Sequence, residues 1–202
     1  MATGYGAATT VLDSESRWIA YIDAANLYYG ICETAGAQFW RVDVVRMCDQ
    51  VLKGYYGKLI KVKYFTTALS GRAGEDQKRF EQDTISVYGN KFQPFMGRTT
   101  YDDKTGTFKE KQVDVRLAAQ LVGDLCTKEC EAALVVSSDS DLAAAIREAR
   151  WYAPGRTIVA AHPDGVPSGA YTEVVNQAIL IDAGLYRNAA RLDVTLEKFR
   201  KK

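Results

Sequence analysis

Histidine is the scarcest chemically useful residue in this chain: His162 is the only one among 202 residues. Mechanisms that use a serine–imidazole pair, or several imidazoles around a metal, are hard to assemble from one histidine placed before Pro163 in an expected loop. Chemistry then falls to carboxylates, lysine or a metal. Cysteine is also thin, at Cys32, Cys48, Cys126 and Cys130. The last two sit four apart on an expected helix face, a spacing poorly suited to tetrahedral zinc, so all four read as reduced, partly buried thiols. No apolar run approaches the ~18–20 residues that span a bilayer. The N-terminal "MATGYGAATTVLDSES" lacks both a basic start and an apolar middle, so it does not read as a secretory signal. A cytoplasmic chain with no membrane partner is the expectation. Charge of one sign is missing too, because 26 basic residues face 25 acidic ones. That balance gives no global pull toward nucleic acid. Only the tail from Arg187 is locally basic, and it fits either phosphate contact or a solvated helix end.

What is present alternates between two periodicities. "RWIAYID" (17–23), "GKLIKVKYFTTAL" (57–69), the run 132–137, "RTIVAAH" (156–162) and "AILIDA" (178–183) read as strands. Helical spacing marks the segment up to Gly36 after "RWIAYID", then 41–53, 74–89, 113–126, 140–150 and "SGAYTEVVNQ". The segment 91–114 holds a strand and a turn at "DDKTG", and therefore a hairpin or loop. Strands alternating with helices predict an α/β fold with a mainly parallel central sheet. The expected organisation is a flexible leader over 1–15, one domain over 16–188 and a basic tail over 189–202.

Acids mark the ends of these strands. Asp23 closes the first strand, Asp139 and Asp141 follow the run 132–137, and Asp114 opens the helix 113–126. In open parallel sheets ligands bind beyond the carboxyl ends of the strands, so four carboxylates from three segments are expected at one rim. Each acid has a plain alternative. Asp23, Asp139 or Asp141 can cap the helix that follows, a role worth ~1 kcal/mol, and Asp114 suits a helix start. Capping does not explain the joint pattern. Two carboxylates ~4 Å apart repel by about 4 kcal/mol at an effective dielectric of ~20, so four together call for protonation or a divalent cation. Hard oxygen ligands favour Mg²⁺ or Mn²⁺, and such a site suits phosphodiester hydrolysis.

"YIDAANLY" (21–28), "EKQVDVRLAAQLV" (110–122) and "LVVSSDSDLAAAIREAR" (134–150) resemble, in order and spacing, the three motifs of NYN domains, which belong to the PIN-like nuclease superfamily. The resemblance implies a PIN-like three-layer α/β/α sandwich and a Mg²⁺- or Mn²⁺-dependent ribonuclease site. Carried over by position, it implies Asp23, Asp114, Asp139 and Asp141 as the metal-binding and catalytic acids. Asn26 would orient Asp23 or a ligand water, Ser137 and Ser138 would hold a carboxylate or phosphate, and Lys111 would neutralise phosphate charge. Three positions depart from the pattern: Ala24 and Ser138 where glycine is frequent, and Gln120 where a further acid is common, with Asp124 one turn onward expected to point elsewhere.

A single-stranded RNA needs cations for its phosphates and flat side chains for its bases. Arg98, Lys109 and Tyr28 are the expected contacts, with Arg72, Lys78, Arg79, Tyr29 and Tyr101 as further candidates; core packing or a solvated face is the bland alternative for each. Two function classes follow: a metal-dependent ribonuclease, or an RNA- or partner-binding regulatory module whose acidic site is vestigial. A phosphatase of the haloacid-dehalogenase type wants an Asp-x-Asp pair at the first strand, and Ala25 stands where the second acid is required. Partners are RNA and, as an open alternative, further copies of the chain in a homo-oligomer.

Overall fold

The strand-like runs assemble into a single sheet. The computed structural model describes residues 11–102, 107–166, 168–189 and 192. Its strands are β1 (Arg17–Asp23), β2 (Lys58–Thr67), β3 (Phe92–Asp102), β4 (Thr107–Lys111), β5 (Ala132–Val136), β6 (Thr157–His162) and β7 (Gln177–Leu180). They lie in the order β4-β3-β2-β1-β5-β6-β7. Every neighbouring pair is parallel except β3 and β4, which form the expected hairpin. The turn at its tip, 103–106, lies outside the described residues, as do 1–10 of the leader and all of the tail from 189 except Ala189 and Leu192. Strands flanked by helices on both faces read as continuous apolar runs, and β5 and β6 are buried at every position.

Helices cover both faces. On one side lie α1 (Ala24–Thr34), α2 (Val44–Val51), α3 (Gly71–Tyr88) and the short α6 (Ala183–Asn188); on the other lie α4 (Val113–Cys126) and α5 (Leu142–Tyr152). Alternate residues of β1 serve alternate cores, as a period of two demands. Trp18, Ala20 and Ile22 pack with Met47 and Phe80, while Ile19 and Tyr21 pack with Leu117, Leu121 and Ile146. Each fully buried leucine of α4 contributes about 1.5–3 kcal/mol. The result is the expected three-layer α/β/α sandwich with a mainly parallel sheet. Helix α1 also sits hard against the loop after β6, because a Cβ at Gly30 would lie 2.5 Å from the Pro163 carbonyl carbon.

The path of the chain fixes where a site can form. From β1 the chain runs outward through β2 to the hairpin, then returns to the opposite side of β1 with β5, β6 and β7. The crevice between the carboxyl ends of β1 and β5 is therefore the switch point.

Two expectations need correction. The segment 168–176 forms successive turns, not a helix. Asn176 is the cause at one end: its N–H donates to the Ile158 carbonyl at 2.8 Å and its side-chain oxygen accepts from the Ile158 N–H at 2.8 Å, which ties the chain into strand geometry beside β6. The neighbouring β-branched pair Val174–Val175 does little to oppose that. His162, expected both as the end of the strand 156–162 and in a loop before Pro163, takes the strand position: it ends β6 and is fully buried.

Candidate metal centre

Asp23 combines two roles on one carboxylate. One oxygen caps α1, accepting from the N–H groups of Ala25 at 3.1 Å and Asn26 at 3.2 Å. The other accepts from Asn26 Nδ2 at 2.6 Å and Ser137 Oγ at 3.1 Å. At 3% exposure the group is out of water. Burial is the main influence on its pKa and pushes it up; the Asn26 and Ser137 hydrogen bonds pull the other way, and the charge of Asp139 adds to the rise.

Asn26 and the two serines form the bracket between β1 and β5. The Asn26 Oδ1 accepts from the Ser138 N–H at 3.2 Å, while Ser137 Oγ accepts from the Asp139 N–H at 3.1 Å. Asp139 then turns the chain toward α5: its carboxylate accepts the Asp141 N–H at 2.9 Å and its carbonyl accepts the Tyr171 hydroxyl at 2.8 Å. Ser138 Oγ donates to Asp164 at 2.8 Å. Asp114 arrives from the third segment, in the first turn of α4. The residue starting that helix, Gln112, takes the left-handed φ of 78°, a conformation that costs a non-glycine residue about 1–2 kcal/mol.

Asp23, Asp114 and Asp139 each bring a carboxylate oxygen within 4.8 Å of the others. An octahedral Mg²⁺ or Mn²⁺ with bonds of about 2.1 Å separates its ligand oxygens by roughly 3 to 4.2 Å, so the three fit a hard divalent cation after a small contraction. Without one, each ionised pair at that spacing repels by about 3 to 4 kcal/mol at an effective dielectric of ~20. Asp141 stands apart. It is exposed at the start of α5, makes no side-chain cap and is not one of the three converging acids.

The Gln120 position is committed elsewhere. Its Oε1 accepts from Lys63 Nζ at 2.6 Å, and the same ammonium pairs with Asp124 at 2.6 Å. Asp124 also accepts the Tyr21 hydroxyl at 2.7 Å. Lys63 is buried because α4 covers that face of β2.

Among the expected substrate contacts, Arg98 is exposed on β3 and Tyr28 is exposed on α1, edge-to-face with Tyr29 at 5.6 Å. The register sets Arg98 opposite Lys111 and Thr100 opposite Lys109; the side chains of Lys109, Lys111 and Tyr101 lie outside the described residues. Arg72, Lys78 and Arg79 are exposed on α3. Asp164 and Tyr171 do not stand out in the sequence. Asp164 follows the end of β6, so the strand-end rule that picks Asp23 and Asp139 would have found it. Nothing in the sequence pattern marks Tyr171.

A mainly parallel α/β/α sandwich with carboxylates gathered at the switch point defines the PIN-like class of fold. Residues 18–182 match the NYN domain, and the chain belongs to that nuclease-like family. No functionally curated protein matches it. Among solved structures, a protein of unknown function from Vibrio parahaemolyticus is similar in fold, with a TM-score of 0.58 at 11% identity over 84% of this chain and 95% of that one. A candidate oxidoreductase from Parabacteroides merdae overlaps at a TM-score of only 0.29 and 11% identity, over 94% of this chain and 31% of that one.

Proposed function

We propose that this protein is a metal-dependent ribonuclease that hydrolyses phosphodiester bonds of single-stranded RNA with Mg²⁺ or Mn²⁺. One observation carries the reading: three carboxylates from separate elements of an NYN fold converge within 4.8 Å. Asp23, Asp114 and Asp139 would hold the ion directly and Asp141 would act from the outer edge. The ion would supply Lewis acidity toward a phosphoryl oxygen and lower the pKa of a bound water. The chain's own contribution is orientation. Asn26 and Ser137 fix the Asp23 carboxylate, and Ser138 ties the β5 end to Asn26, the second layer of contacts that metal ligands need. Arg98, Lys109 and Lys111 would neutralise phosphates, and the exposed ring of Tyr28 would stack a base. In-line attack by water would leave a 5′-phosphate and a 3′-hydroxyl.

The test is cleavage of single-stranded RNA with Mn²⁺ or Mg²⁺. Asp139→Asn and Asp23→Asn are each expected to lower the rate by at least ~100-fold while the circular-dichroism spectrum is retained, since even outer-layer changes cost about 10–100-fold. Unchanged rates in both variants would overturn the assignment. Gln120 supports a second reading, an RNA-binding module with a vestigial site, because its amide is held by Lys63 where a further acid is common. Calorimetric titration separates the two: micromolar Mn²⁺ binding that Asp139→Asn abolishes counts against the binding module.

A further inference from the structure

We infer that Tyr171 is a positioning residue of the metal centre, holding the Asp139 ligand in place from a segment that carries no ligand itself. The inference rests on the metal-centre reading of the three converging acids. Those acids differ in how firmly the fold holds them. Asp23 ends β1 and caps α1, and Asp114 lies in the first turn of α4. Asp139 has neither support, because β5 stops at Val136 and α5 starts at Leu142. When three like charges repel, the carboxylate on such a connection is the one most easily driven off.

Tyr171 supplies the missing restraint. Its hydroxyl donates to the Asp139 carbonyl at 2.8 Å, and the residue is fully buried with its ring edge-on to His162 at 5.2 Å. Burial is the first cause of a raised pKa at this hydroxyl; a Ser137 hydrogen bond opposes it, and the charges of Asp139, Asp23 and Asp114 each add to the rise. A phenol that feels all three acids lies close to where they converge. Ser137 extends the contact, since its hydroxyl donates to Asp23 at 3.1 Å and accepts the Asp139 N–H at 3.1 Å. The segment that presents Tyr171 is itself tied down. The Tyr171 N–H donates to the Ser168 carbonyl at 3.1 Å, and its carbonyl accepts from the N–H groups of Val174 at 2.9 Å and Val175 at 3.1 Å. Asn176 locks the far end to Ile158 of β6, and Arg150 of α5 donates to the Val174 carbonyl at 3.3 Å. The irregular path of 168–176 then has a function: it carries a rigid phenol to the one ligand that secondary structure leaves unsupported. Outer contacts of this kind are worth about 10–100-fold in metal affinity.

The experiment compares Tyr171→Phe with a matched control, Tyr186→Phe. Tyr186 is also buried and donates its hydroxyl to a backbone carbonyl, that of Pro163, at 2.8 Å, but the charge acting on it is that of Asp164. Each variant keeps its ring and loses one bond of the same kind. In calorimetric titration with Mn²⁺, Tyr171→Phe is expected to bind about tenfold more weakly or worse, while Tyr186→Phe stays within about twofold of wild type. In wild type, Mn²⁺ should slow hydrogen exchange at residues 137–141 and also at 168–176, and in Tyr171→Phe the protection at 168–176 should be lost. Wild-type affinity in Tyr171→Phe, an equal loss in Tyr186→Phe, or wild-type protection that stops short of 168–176 would each overturn the role. If wild type takes up no Mn²⁺, the metal centre itself fails. If wild type and Tyr171→Phe bind the ion equally, only the role of Tyr171 fails.

Discussion

His162 shows what burial does to a titratable group that is only partly compensated. Both ring nitrogens are buried without a hydrogen-bond partner among the described residues, and the ring meets Tyr171 edge-on at 5.2 Å. Burial lowers its pKa from the ordinary 6.5, only partly opposed by the charge of Asp164 and the backbone of Ser137. The folded state therefore keeps the ring neutral where the unfolded chain takes up a proton. Stability is complete above pH 6.5 and falls as pH drops from there toward the depressed value, with a slope of at most about 1.4 kcal/mol per pH unit. His162→Phe keeps an aromatic ring against Tyr171 and removes both nitrogens. Urea unfolding at pH 7.5 and 5.5 is expected to show a flatter pH dependence in the variant, and an unchanged slope would refute burial of the imidazole as the cause. Because the chain has one histidine, its imidazole proton resonance reports the titration without ambiguity.

Between elements, the contact of β2 with α4 depends on a charge. Lys63 has 7% of its side chain exposed and Asp124 has 14%, so neither group is well solvated. Removing one partner of such a pair strands the other and costs ~3–5 kcal/mol, whereas removing both charges is often near neutral. Lys63→Met is expected to lower unfolding free energy by about 3 kcal/mol. Adding Asp124→Asn, which keeps an acceptor for the Tyr21 hydroxyl, should recover most of that, as read from a double-mutant cycle in urea. Independent, additive effects would mean the pair is not coupled. The same contact shows where the sequence is hard to read. Strand type was legible in β2 from its branched and aromatic residues, but which lysine faces a helix depends on a neighbour 57 positions away. The turns at 168–176 were opaque for a related reason, since Asn176 reads as an ordinary polar residue until β6 lies beside it. Asp23, Asp114 and Asp139 were legible because strand ends and a helix start announce themselves locally. The position of Asp141 outside the cluster was not, because one residue of turn geometry separates it from Asp139.

At the scale of the whole molecule, the proposed metal centre would make stability depend on cation concentration. An ion held only by the folded state adds RT ln(1 + [ion]/Kd), about 2.7 kcal/mol at a hundredfold excess over Kd. For a chain of this length that amounts to a rise of roughly 5–10 °C in Tm. Differential scanning calorimetry of wild type with excess Mn²⁺ should show it, and Asp139→Asn at the same concentration should not. A wild-type Tm indifferent to Mn²⁺ and Mg²⁺ would argue against a metal centre.

The position of β1 in the sheet has a consequence in time. Its neighbours are β2, soon after it in the chain, and β5, which begins more than a hundred residues later at Ala132. As the chain leaves the ribosome, β1 can pair with β2 early, but its other edge stays open until β5 emerges. Ser137 and Asp139 arrive only then, and Tyr171, which anchors the Asp139 turn, later still. The acidic cluster therefore cannot form before β5 and the turn that follows it have emerged. On the ribonuclease reading proposed above, the emerging chain would be inert toward RNA until the segment through Tyr171 has left the ribosome.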